Sequence, residues 1–160
     1  MDVAALIAAV YLMFGASFYL GMMLTMKFFL FPMWSTVRLE TLETQLGFPV
    51  RRATITFTYL LPLMLAAPVV LVIADWGTAT VWLAWACLAG VLALSVLSQL
   101  LQRPLNLKLY SGTIRSDEEL QAVVRRWMSV NGVRFIAAAA TWVLTLWYIL
   151  ARGGYFGVLS

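Results

Sequence analysis

The sequence predicts an all-α membrane protein, a four-transmembrane-helix bundle with a long, cytoplasmically extended fourth helix. Of its 160 residues, 63% are hydrophobic and only 11% are charged, whereas about a quarter of the residues in a soluble domain are charged. The mean hydropathy is +0.90. Apolar runs of about 20 residues can cross the hydrocarbon core of a bilayer, and the chain contains four of them. We therefore predict one membrane domain over residues 1–160, in contact with the lipid bilayer.

The predicted spans cover about residues 3–26, 53–74, 80–101 and 131–151. The first apolar run follows Met1 and Asp2 without a basic segment, so we interpret it as a retained span rather than a signal peptide. The second and third spans are separated only by the short turn that begins at Asp75, which predicts an antiparallel hairpin. Both features are typical of a compact bundle.

Prolines and glycines set the predicted boundaries between the spans. Pro32 marks the exit of the first span. A short helix over Thr36–Gln45 is expected to end at Gly47 and Pro49, before the second span begins. Because a residue that precedes proline is biased away from helix, the third helix is expected to kink or stop near Arg103.

An amphipathic helix over residues 117–130 is predicted to run without a turn into the fourth span. Ser116 and Glu119 have the spacing of a capping box, which fixes the helix start. The helix should continue to about Ala151 and reach about 50 Å at a rise of about 1.5 Å per residue. It is therefore expected to project beyond the bilayer.

One face of this helix carries both packing residues and polar residues. Trp127, Asn131 and Arg134 are spaced at i, i+4 and i+7, so they share one face of a helix. Ionisable side chains at membrane depth are costly and usually face the protein interior or a wet cavity. We therefore expect Arg134 to be buried and paired.

The basic residues predict the orientation in the membrane. Ten of the eleven Lys and Arg residues lie within 27–52 or 103–134, at the two loops on one side. Cytoplasmic loops carry an excess of Lys and Arg. This predicts a plasma or bacterial-type inner membrane protein with both termini on the non-cytoplasmic side.

Several functional classes are excluded by composition. The chain has no histidine and one cysteine, Cys87, so it lacks His-ligated metal sites and internal disulfides. No phosphate-binding glycine motif is present, and we predict no metal and no cofactor. The basic residues flank apolar segments, which favours anionic lipid headgroups over nucleic acid as their partners.

Two polar segments carry a resemblance to a known family. A Pro-Leu-Asn sequence at 104–106 follows the third span, and Trp127, Asn131 and Arg134 stand at the start of the fourth. The chain resembles the anthrone oxygenase-like family of small four-span membrane proteins, most of which have no assigned activity. The resemblance implies a four-helix bundle. In a few members it implies cofactor-independent oxidation of an anthrone to an anthraquinone with O₂, in which a His or a carboxylate commonly accepts the proton.

The predicted ligand-binding residues are Asn106, Trp127, Asn131 and Arg134. Asparagine both donates and accepts hydrogen bonds, whereas an arginine fork suits a carboxylate, phosphate or phenolate oxygen. With Trp127 as an aromatic wall, this set can hold a lipophilic phenol or quinone, or an anionic lipid headgroup. Glu40, Glu43 or a tyrosine is a candidate proton acceptor, and either glutamate is a candidate counter-ion of Arg134.

Two functional classes stay open at this stage. In the first, the protein binds or oxidises a lipophilic aromatic compound of the anthrone or quinone type. In the second, it is a non-catalytic accessory or scaffold subunit of a larger membrane complex or a homo-oligomer, and the polar residues only tie helices together. A large internal cavity ending at Arg134 would favour the first class, and a fully packed bundle would favour the second.

Overall fold

Four long helices account for most of the computed structural model, which describes residues 3–153. They are α1 (Val3–Trp34), α2 (Glu43–Ala74), α3 (Val81–Tyr110) and α4 (Asp117–Arg152). Each is long and apolar enough to cross a membrane, and the described residues contain no strand. The predicted all-α, four-span class is therefore confirmed.

The helices form an up-down-up-down bundle in which each packs against its neighbours in sequence, and α1 closes the ring against α4. We call the end with loops 35–42 and 111–116 the basic end, and the end with turn 75–80 the opposite end. Small residues let α3 and α4 approach closely near the middle. A Cβ atom added to Gly90 would lie 2.6 Å from the hydroxyl of Thr141. Large apolar side chains such as Phe29 and Ile136 face outward, as expected for contact with lipid.

The predicted short helix was wrong, and so was the predicted stop near Arg103, because helices continue through prolines at the basic end. Residues before Gly47 belong to α2, which begins at Glu43 and continues past Pro49, rather than to a separate short helix. Likewise, α3 does not stop near Arg103 but runs on to Tyr110.

A π-helical turn stands directly before each proline of the basic end and explains this continuity. The turns are Met26–Leu30, Glu43–Gly47 and Ser98–Gln102, and Pro32, Pro49 and Pro104 follow them two residues later. A proline ring normally clashes with the carbonyl four residues earlier. The wider π turn moves the preceding carbonyls away from the ring, so the helix does not have to end.

The extension of α4 is packed rather than free. The Ser116 hydroxyl accepts a hydrogen bond from the Glu119 amide at 3.2 Å, so the predicted cap is present. Asp117 accepts from the Leu39 amide at 2.8 Å, and Gln121 donates to the carbonyl of Val37. These contacts fix loop 35–42 against the first turns of α4.

At the opposite end, an ion pair between a buried carboxylate and a partly exposed arginine joins turn 75–80 to the end of α4. The Asp75 carboxylate is fully buried and lies 2.9 Å from the Nε atom of Arg152. The Thr80 hydroxyl donates to its other oxygen at 2.9 Å. Gly77 has a φ of +79° in this turn, a conformation that glycine adopts readily.

Candidate functional site

The polar residues of the α4 face are buried in the bundle, as their spacing predicts. Trp127 and Asn131 are each 2% exposed, and Arg134 is 6% exposed. They belong to an unbroken buried stripe that includes Leu120 and Ala138. The helical period alone brings these side chains to the interior, because α4 has no break between residues 117 and 152.

Asn106 of α3 and Trp127 of α4 meet through a direct hydrogen bond. The indole Nε1 of Trp127 donates to the Asn106 side-chain oxygen at 2.7 Å. The same oxygen accepts a second bond from Gln102 at 3.3 Å. The two polar segments of the sequence, 21 residues apart, are thus in contact.

Gln102 connects this pair to the deeper part of the site. Its side-chain oxygen accepts a hydrogen bond from Asn131 at 3.2 Å, and Asn131 also donates to the Trp127 carbonyl at 3.0 Å. The Asn131 oxygen in turn accepts from Arg134 Nη1 at 2.9 Å. One network therefore joins all four sequence-predicted residues, with Gln102 as an unpredicted member.

Arg134 also reaches across the bundle to α1. Its Nη2 donates to the hydroxyl of Tyr19, and its guanidinium carbon lies 5.7 Å from the centre of the Tyr19 ring. Within residues 3–153, Arg134 Nε is buried without a hydrogen-bond partner. Tyr19 packs against Phe57 of α2, with ring centres 4.6 Å apart. Arg134 is thus held by neutral groups from two helices.

The predicted carboxylate counter-ion of Arg134 is not present among the described residues. Glu43 pairs with Arg51 at the surface, and Glu40 is exposed in loop 35–42. Since α2 begins at Glu43, both glutamates lie at the basic end, away from the interior position of Arg134. This part of the sequence prediction was wrong, and the buried cation has only neutral partners.

Beside the network lies a cavity of about 820 Å³ between the four helices. Its polar lining residues are Thr25, Thr54, Thr58, Ser95, Ser98, Gln99, Gln102, Arg103, Asn106, Tyr110, Trp127, Asn131 and Arg134. All four predicted site residues stand on its wall. A volume between about 300 and 1,000 Å³ is usual for small-molecule sites.

Apolar and aromatic groups form the rest of the wall. Trp34 and Trp127 meet edge to face with ring centres 5.3 Å apart, and both line the cavity. The Trp34 indole donates at 2.7 Å to the carbonyl of Gln45, the one that Pro49 cannot satisfy. Methionines at 22, 23 and 26 supply adaptable surface on the α1 side.

The charged residues described in the cavity lining are all positive. Arg103 and Arg134 are its charged residues, and no Asp or Glu from the described part of the chain contributes to it. A cationic group in a medium of low dielectric attracts an anion or an electron-rich oxygen more strongly than it does in water. The geometry is thus that of a site for a mainly apolar molecule with an oxygen acceptor.

No metal-binding group of three or more His, Cys, Asp or Glu side chains was found within residues 3–153.

Comparison of the chain with protein-family models, curated proteins and solved structures found no match in any of the three. The resemblance to the anthrone oxygenase-like family therefore rests on the two polar segments and the four-span layout alone.

Sequence reasoning missed two members of the network. Gln102 stands four residues before Asn106, so a helix that continues through Pro104 would have placed it on the same face. The expectation of a kink or stop near Arg103 concealed that signal. Tyr19 lies 115 residues from Arg134 in an apolar span, and no spacing indicates their contact.

Proposed function

We propose that this protein is an intramembrane binding protein for a lipophilic aromatic compound with a phenolic or quinone oxygen, of the anthrone or quinone type. The observation that carries the proposal is Arg134, a buried cation that stands on the wall of a large apolar cavity and whose hydrogen-bond partners within residues 3–153 are neutral. Membrane proteins rarely keep such a group unless it serves a ligand, ion or partner.

The lining supports this ligand class in two ways. An oxygen of the ligand can accept from the guanidinium of Arg134, which lines the cavity. The aromatic rings of the ligand can pack against Trp127 and Trp34, for which edge-to-face contacts are favourable. One end of the cavity thus offers donors and the remainder offers apolar surface.

Oxidation of the ligand is the activity that the family resemblance suggests. The reaction converts an anthrone and O₂ to an anthraquinone and water, and it needs a group that accepts a proton from the anthrone. Among the described lining residues, Tyr110 is the only tyrosine, and no carboxylate is available. Binding is therefore the function that the geometry supports best. Oxidation of the ligand is measured together with binding in the experiment that follows.

A cavity-filling substitution tests the proposal. Ala53 lines the cavity, whereas Ala66 lies on an exposed face of the same helix. Ala53→Phe is expected to abolish the thermal stabilisation that hydroxylated anthrones or quinones give to the purified protein. Ala66→Phe is expected to retain it, and anthraquinone formation is followed in the same samples. If no phenol or quinone stabilises the wild type, the binding function is overturned and the accessory-subunit alternative takes its place.

We further propose that the basic end faces the cytoplasm in a plasma or bacterial-type inner membrane, so that both termini are on the other side. The concentration of Lys and Arg near the loops of the basic end supports this orientation. A membrane-impermeant thiol reagent applied to intact cells should label Ala79→Cys and miss Ser111→Cys, both of which are exposed positions. Cys87 is buried and gives little background. The reverse labelling pattern would refute this orientation.

A further inference from the structure

The cavity is bordered by exposed residues on two facing helices. On α2 these are Thr54, Thr58 and Pro62, and on α3 they are Gln99, Arg103 and Leu107. The close packing of α2 against α3 is concentrated in the Val81–Leu97 part of α3, away from the π turn and the residues that follow it. The gap between α2 and α3 thus opens the cavity sideways, towards the surrounding lipid.

The threonine and serine hydroxyls along this gap are already satisfied by their own helices. Thr54 and Thr58 each donate at 2.8 Å to the carbonyl four residues earlier. Ser95 and Ser98 do the same on the other side, at 3.1 and 2.7 Å. Hydroxyls that bond back to their own helix do not require a polar partner from outside. A hydrocarbon chain can therefore cross the gap without leaving these donors unpaired.

The two parts of the cavity differ in polarity. The network of Gln102, Asn106 and Asn131 lies towards the basic end, beside Trp127. Further along α2, the lining consists of Leu61, Pro62 and Leu65, which offer no hydrogen-bond donors. The lining is thus polar beside Trp127 and apolar further along α2, and the gap borders both parts.

We propose that the ligand carries a hydrocarbon tail, reaches the site from the bilayer through the gap between α2 and α3, and leaves its tail in that gap while its oxygenated ring binds at Arg134. The inference rests on the proposed binding function and narrows its ligand class to tailed phenols or quinones. Because the tail is already in an apolar medium in the bilayer, its share of the affinity comes from van der Waals packing against the residues of the gap.

The experiment compares a hydroxylated naphthoquinone without a tail and the same headgroup with a geranyl tail. Both are titrated into protein in detergent micelles, with ligand concentrations counted in the micelle phase. The tailed compound is expected to bind the wild type about tenfold more tightly, because its chain gains van der Waals contacts with the gap residues that it does not make in the micelle. Thr58→Trp, which obstructs the gap, should weaken binding of the tailed compound and leave it with no advantage over the tail-less one.

Thr56→Trp is the matched control, because Thr56 is equally exposed on α2, bonds back to its helix in the same way and does not line the cavity. It should behave like the wild type. If Thr58→Trp does not fold, Gln99→Trp with Leu100→Trp as its control gives the same comparison from α3.

Equal affinities of the two compounds for the wild type would overturn the proposed role of the hydrocarbon tail. The proposed binding function would not be affected by that result. Equally weakened binding of both compounds by Thr58→Trp would also overturn the inference, because the residues of the gap would then contact the ring of the ligand rather than its tail. Absence of binding by either compound and by every anthrone and quinone tested would overturn both proposals together.

Discussion

Arg134→Gln is expected to lose the ligand-induced stabilisation of the protein. A ligand at about 100 times its dissociation constant stabilises a folded protein by about 2.7 kcal/mol, and this should appear as a raised Tm of the wild type in detergent. Glutamine keeps a polar amide at this position but removes the cation. Because the positive charge on the cavity wall holds the ligand oxygen in our proposal, the Tm shift should vanish at the same ligand concentration.

The control for this variant is Arg125→Gln, an exposed substitution on the same helix. It removes the same charge from the protein, and the ligand-induced Tm shift should stay at the wild-type value. A shift that persists in Arg134→Gln would mean that Arg134 does not bind the ligand.

In the absence of ligand, we do not expect Arg134→Gln to lower the Tm. Removal of one member of a buried ion pair costs about 3–5 kcal/mol, because the other charge stays buried and unpaired. Arg134 leaves no such charge behind, since its partners Asn131 and Tyr19 are neutral. We therefore expect Arg134→Gln to leave the ligand-free Tm unchanged or to raise it. A large fall would favour the alternative in which Arg134 only ties helices together.

Arg152→Ala is expected to give the largest loss of stability. It leaves the Asp75 carboxylate, which is fully buried, without its cation, and such a change costs about 3–5 kcal/mol of unfolding free energy. Thermal and denaturant unfolding in detergent measure this loss. Arg126→Ala, at an exposed position of α4, is the control and should change stability by less than about 0.5 kcal/mol.

A second substitution distinguishes the effect of the Arg152 charge on stability from the effect of its packing. In the double variant Asp75→Asn and Arg152→Ala, no buried charge remains unpaired, so part of the lost stability should return. Ligand binding should be unaffected in both variants, because the ion pair lies at the opposite end from the polar network. Equal stability of the single and double variants would contradict the assigned role of the ion pair.

The class of fold was predictable because it depends on average properties of long segments. Apolar runs of span length specify helices in a membrane, where each backbone amide must be satisfied within its own segment. The orientation of Trp127, Asn131 and Arg134 was predictable for a related reason. An uninterrupted helix has a fixed period, so spacing along the sequence determines direction in space.

The partners of those residues were much harder to predict. The contact between Arg134 and Tyr19 depends on how two distant helices pack, which no local pattern records. The expectation of a carboxylate beside Arg134 came from pairing charges of opposite sign. It failed because the acidic residues of the basic end stay at the surface. A functional cation can be left without an anion when its counter-charge comes from a ligand.

The π turn at Ser98–Gln102 determines the direction in which the later side chains of α3 point. Such a turn contains one more residue than an α-helical turn, and each residue rotates an α-helix by about 100°. If the same five residues were wound as regular α-helix, residues 103–110 would rotate by about that angle relative to residues 81–97. Asn106 would then point away from Trp127. The polar network thus depends on the π geometry of this segment as much as on the identity of its residues.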